Sequence, residues 1–94
     1  IVYKDALEYE FKKANIEFER EKEYIVQYKN IILPHKFFAD FVVFNKIILE
    51  VKSVSAITDE HIAQTLNYLR VSGLKLGLLV NFGELSLKFK RIVF

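Results

Sequence analysis

The chain has 94 residues, a formal net charge of +2, and no methionine, cysteine or tryptophan, enough for one domain but not for two with separate cores. Without cysteine there are no disulfides, thiolate nucleophiles, cysteine-bound zinc or iron–sulfur clusters, and a cytoplasmic location is expected. Apolar residues at 52% and charged ones at 28% exclude a disordered charged tail. The apolar runs fall far short of the ~18–20 residues needed to span a bilayer, and the small net charge does not by itself announce nucleic-acid binding.

From Val2 to Asn15 the residues Tyr3, Ala6, Leu7, Phe11 and Ala14 recur at helical spacing, with Lys4, Asp5, Glu8, Lys12 and Lys13 on the polar side. Asn15 is the expected stop. From Ile16 to Tyr28 the period changes to two, and Glu17, Glu19, Glu21 and Glu23 alternate with Phe18, Arg20, Lys22 and Tyr24. This predicts a strand with a solvated glutamate row, in preference to a metal or partner site. A turn at Lys29-Asn30 and a short strand over 31–33 before Pro34 follow. Small domains with unpaired strand edges also dimerise, so a homodimer through this Glu-rich strand is a further expectation.

Two apolar runs, Phe37 to Phe44 and Ile47 to Val54, flank Asn45-Lys46 and predict a β-hairpin. Pairing Val43 with Ile47 across a three-residue loop gathers Ala39, Phe41, Val43, Ile47, Leu49 and Val51 on one apolar face. A two-residue loop would instead mix charges into that face, so the longer loop is expected. It puts Asp40 opposite Glu50 and Phe38 opposite Lys52, with the β-carbons of opposed residues about 4.5–5.5 Å apart. Two carboxylates that close repel unless a cation neutralises them, and hard oxygen ligands suit Mg²⁺ or Mn²⁺. Lys52, on the same face, can orient or deprotonate a water there. The plainer reading is a cross-strand ion network.

Thr58 or Asp59 is expected to cap a second helix, which carries Ile62, Leu66 and Leu69 on one stripe and His61, Gln64 and Tyr68 roughly opposite, and stops at Gly73. Strands over Lys75 to Asn81 and Leu85 to Phe94 complete the order α-β-β-β-α-β-β, an α/β arrangement of one mixed sheet and two helices.

Taken in order, Asp40, then Glu50-Val51-Lys52, then Gln64 and Tyr68 resemble the D, ExK, QxxxY series of the PD-(D/E)XK nuclease superfamily, in particular its RecB-type branch. The tract from Tyr3 to Leu7 and the run Leu74-Lys75-Leu76-Gly77-Leu78-Leu79-Val80-Asn81-Phe82-Gly83 are similar to the GxxExxY family within it. Phe38-Ala39, in place of proline, precedes the Asp. The resemblance implies a restriction-endonuclease-like fold over residues 1–94 and hydrolysis of phosphodiester bonds in nucleic acid, with DNA the expected substrate. It also implies Mg²⁺ or Mn²⁺ on Asp40, Glu50 and the Val51 carbonyl, Lys52 positioning the attacking water, and Gln64 and Tyr68 supporting the substrate or the metal. Lys36, Lys75, Lys88, Lys90 and Arg91 are the candidate phosphate contacts. The family's tyrosine maps to Tyr3, so its glutamate would fall just before Ile1, and an N-terminally truncated chain is expected. A nuclease fold that has lost its reaction and binds nucleic acid or a protein is the competing reading.

Overall fold

The computed structural model describes residues 2–29 and 31–94, and backbone alone for 28 and 31–34. The elements are helix α1 (Val2–Lys13), strands β1 (Phe18–Tyr28), β2 (Ile31–Val43) and β3 (Ile47–Lys52), helix α2 (Asp59–Ser72), and strands β4 (Leu76–Asn81) and β5 (Lys88–Val93). The five strands form one mixed sheet in the order β1-β2-β3-β4-β5. Only β3 and β4 run parallel, and α2 makes the crossover between them.

The two helices lie against opposite faces. Leu7 and Phe11 of α1 pack with Phe18, Phe41, Val43 and Leu49, and the Phe11 ring meets the Phe41 ring edge-on at 5.3 Å. Arg20 helps to seat α1, its guanidinium lying 2.7 Å from Asp5 and 3.7 Å from Glu8. On the other face Ile62, Leu66 and Leu69 of α2 pack with Val42, Ile48, Leu79 and Ile92. At Gly77 a Cβ would come within 2.9 Å of the Thr65 methyl, so α2 rests directly on the backbone of β4. Thr58 caps α2: its hydroxyl accepts from the His61 amide at 3.4 Å, and its own amide donates to His61 Nδ1 at 3.0 Å. At the other end Gly73, at φ 78°, donates to the Leu69 carbonyl.

Several boundaries differ from the sequence reading. Helix α1 ends at Lys13, and Asn15, at φ 57°, leads the chain out of it. The short strand before Pro34 and the strand after it are one, β2, thirteen residues long. Proline brings no amide to a ladder, and the register shifts here: Ile25 pairs with Lys36 but Gln27 with Ile32, so β2 carries two extra residues in the stretch that contains Pro34. Lys29 has the positive φ of a turn, whereas Asn30, the other half of the expected turn, lies outside the described residues. Strand β3 stops at Lys52 and β5 starts at Lys88.

The hairpin register is as expected from Val43↔Ile47 to Phe41↔Leu49. Beyond Leu49 the pairing of β2 with β3 ends, so Asp40 and Glu50, and Phe38 and Lys52, are not ladder partners. Ala39 also changes sides: it packs with Val42 and Ile48 on the α2 face instead of with Phe41. The alternation breaks opposite Glu21, whose φ of 54° is left-handed backbone inside a strand. The glutamate row is exposed, yet each member has an intrachain partner: Glu17 with Asn45, Glu19 with Lys22, Glu21 with Lys4 and Glu23 with Lys36. No helix among the described residues is long and apolar enough to cross a membrane.

Candidate active site

Where β2 and β3 part, the carboxylates of Asp40 and Glu50 take over the work of the ladder. Asp40 Oδ2 accepts from the Val51 amide at 2.7 Å, and Glu50 Oε2 accepts from the Asp40 amide at 3.1 Å. Each acid thereby satisfies a main-chain donor that a continued sheet would have paired. The opening is reached from both faces. From α1, Lys4 places its ammonium 2.7 Å from Asp40 Oδ1 and 2.6 Å from Glu21. From α2, Gln64 accepts a hydrogen bond from the Lys52 ammonium at 3.2 Å. Tyr68 stacks on Phe37 at 4.0 Å, and Phe37 on Tyr24 at 5.1 Å.

The two acids differ in electrostatic state. Burial, then hydrogen bonding with and repulsion from Asp40, push Glu50 up to about 8, which keeps it protonated at neutral pH. Burial also opposes the charge on Asp40, but hydrogen bonds with Glu50, Lys4 and the Val51 amide outweigh it, and the pKa lies below the ordinary carboxylate value. Burial raises the Tyr68 phenol, and the negative charge of Glu50 and Asp40 adds to the shift, so the ring lies within electrostatic reach of the pair.

All five expected catalytic side chains therefore come to one opening, though not on one sheet face: Glu50 and Lys52 belong to the α2 side, whereas Asp40 meets α1. His61 is committed to its helix cap. Among the described residues no group of three or more His, Cys, Asp and Glu side chains could hold a metal ion. The Asp40–Glu50 pair nevertheless fits a hard cation, because a buried carboxyl held neutral by a neighbouring carboxylate ionises once positive charge arrives.

The expected phosphate contacts do not form one surface. Lys88 sits opposite Asn81, which sits opposite Lys52, so one row across three strands joins it to the site. Lys90 and Arg91 follow on the exposed edge strand. Lys75 lies at the other end of β4 with its ammonium 5.4 Å from the Phe94 ring centroid, and Lys36 pairs with Glu23 at 3.2 Å beside Phe38.

Two residues missed by sequence reasoning matter here. Lys4 reads as one more charge on an amphipathic helix until the fold brings it to Asp40. Asn81 is fully buried and ties together the loops that follow β3 and β4. Its carbonyl oxygen accepts from the Val54 and Gly83 amides, both at 3.0 Å, and its amide donates to the Val54 carbonyl at 2.9 Å and to Glu84 at 2.8 Å. A Cβ on Gly83 would collide with the backbone of Val54, which explains an Asn followed two residues later by Gly at this strand end. Phe82 donates from its amide to the Lys52 carbonyl at 2.9 Å and stacks on Tyr3 at 4.6 Å, so the end of β3 is held from two sides.

Comparison with curated proteins gave no sequence match. Among solved structures, the crystal structure of SSO0001 is similar, with a TM-score of 0.78 at 21% identity over 98% of this chain and 49% of that one. The likeness is one of fold, and the chain spans about half the length of that protein. The family model for the PD-(D/E)XK nuclease superfamily matches residues 1–92. With that match over nearly its whole length, the chain belongs to the PD-(D/E)XK nuclease superfamily.

Proposed function

We propose that this protein is a metal-dependent nuclease that hydrolyses phosphodiester bonds of DNA. The observation that carries the reading is the Asp40–Glu50 pair, two acids brought together, where β2 and β3 part, by crossed hydrogen bonds with the main chain, with the Lys52 ammonium held on the same opening by Gln64. Superfamily membership supports nuclease activity. The Tyr3–Leu7 and Leu74–Gly83 tracts support a place in the GxxExxY family and a restriction-endonuclease-like assignment for the sheet.

Asp40 and Glu50, with the Val51 carbonyl, would hold Mg²⁺ or Mn²⁺. Bound there, the ion supplies Lewis-acid polarisation of the phosphoryl oxygen. Lys52, steadied by Gln64, positions the water whose oxygen forms the new bond to phosphorus as the sugar oxygen leaves. Its positive charge also offsets negative charge growing on the phosphoryl group. Tyr68, with its ring fixed in the stack with Phe37, presents its phenol to the substrate.

The test is cleavage of single- and double-stranded DNA and of RNA with Mg²⁺ or Mn²⁺ by the wild type, Asp40→Ala and Lys52→Ala. Each substitution is expected to lower the rate at least about a hundredfold. Activity that survives both would remove the catalytic assignment, and cutting of RNA alone would remove DNA as the substrate.

A further inference from the structure

The site contains a cation of its own. Lys4 lies 2.7 Å from the Asp40 oxygen left free by the Val51 amide, and its other partner, Glu21, is at 2.6 Å. The Lys4 and Asp40 side chains are mostly buried, whereas Glu21 is about half exposed, at 46%. An intrahelical ion pair does not explain a lysine at this position, because both of its partners, Asp40 and Glu21, lie on the sheet. Seating of α1 does not require it either, since Arg20 already holds Asp5 and Glu8. What Lys4 does is neutralise Asp40.

We propose that Lys4 is a displaceable internal counter-ion, which covers Asp40 Oδ1 while no metal is bound and sets the affinity of the site by competing with the ion for that oxygen. The inference rests on the reading of Asp40 and Glu50 as a cation site. An ammonium and a divalent cation cannot share one carboxylate oxygen without strong repulsion at short range. Metal binding therefore moves Lys4 on its flexible four-carbon stem, and Glu21, already in contact and open to solvent, keeps the released charge. Occupancy of the site is thus coupled to the part of α1 that carries both Lys4 and the Tyr3 ring that stacks on Phe82.

The test is the dissociation constant for Mn²⁺, measured by titration calorimetry without nucleic acid, on the wild type, Lys4→Met and Lys4→Arg. Methionine keeps the stem and removes the charge, and it should tighten Mn²⁺ binding on the order of tenfold. Arginine, which grips a carboxylate through two N–H groups, should weaken it. The arginine variant retains the charge pair, so its comparison with the wild type decides the matter even if the methionine variant fails to fold. Equal constants for the folded variants and the wild type would overturn the role of Lys4 while leaving the cation site intact. Binding by none of the three would overturn the cation site and the inference with it.

Discussion

Asp40 and Glu50 are joined by crossed hydrogen bonds, each carboxylate accepting a main-chain amide of the opposite strand, Asp40 from Val51 at 2.7 Å and Glu50 from Asp40 itself at 3.1 Å. The acids thus hold open the split between β2 and β3 that admits groups from both helices. Burial raises Glu50 while hydrogen bonds with Glu50, Lys4 and the Val51 amide hold Asp40 low, and from these separate charge states a stability profile follows.

Glu50, raised to about 8, binds a proton in the folded state over a range where the unfolded chain has released it. Its contribution is therefore fully present below its ordinary carboxylate pKa and is lost as pH rises through about 8. Without metal, the thermal midpoint should fall between about pH 5 and pH 9. Glutamine keeps the acceptor for the Asp40 amide and gives a permanent donor where the protonated acid had one. Glu50→Gln should therefore flatten this limb and exceed the wild type at pH 9 by a few kcal/mol, to order of magnitude. Asp40, whose pKa is lowered, acts in the opposite window, with stability present above the ordinary carboxylate range and lost as pH falls through its depressed value. A wild-type midpoint that is flat from pH 5 to 9 would contradict the assigned state of Glu50.

The same proton gives a measure of metal binding that does not depend on cleavage. A cation at Asp40 and Glu50 must expel it, so Mn²⁺ binding at pH 7 should release about one proton, and the release should vanish above pH 9 and in Glu50→Gln. Calorimetry in two buffers of different ionisation enthalpy measures the number. Binding at pH 7 without release would place the ion elsewhere.

The hairpin register was legible because only one loop length keeps Phe41, Val43, Ile47 and Leu49 together on an apolar face. The superfamily could be read from Asp40, Glu50-Val51-Lys52 and the Gln64 to Tyr68 spacing, which local sequence retains whatever the sheet does. The divergence of β2 from β3 was not legible. It accompanies left-handed backbone at Glu21, and nothing in an evenly alternating row distinguishes that glutamate from its neighbours. Pro34 suggested the end of a strand because the register shift around it is a property of the pairing with β1. Lys4 could not be singled out either, since its meaning comes from a residue thirty-six positions away.

Asn81 is the second support of the site, and its removal should be costly. Asn81→Ala leaves the amides of Val54 and Gly83 and the Val54 carbonyl without their partner, at about 1–3 kcal/mol for each group that water does not reach. The expected loss, read from the midpoint of urea unfolding, is about 3–5 kcal/mol. A loss below about 1 kcal/mol would show that the loops after β3 and β4 hold together without it.

The basic residues separate by their place on the sheet. Lys88 shares a row with Asn81 and Lys52, and strand spacing puts its Cα about 10 Å from that of Lys52. Lys88 is four residues from Ile92 on β5 and shares its face, the one buried against α2, so it faces the side of the sheet from which Lys52 and Gln64 line the opening. Lys75 is at the far end of β4, about 20 Å away along the strand at ~3.3 Å per residue, and shares the Phe94 ring with Arg70. A phosphate backbone bound at the opening should therefore meet Lys88 and miss Lys75. Lys88→Ala should weaken binding of a short DNA duplex in chelator and reduce the slope of log affinity against log salt by about one, whereas Lys75→Ala should leave both unchanged. Fluorescence anisotropy across a salt series distinguishes the two, and equal losses from both substitutions would move the nucleic-acid path away from the Asp40–Glu50 opening.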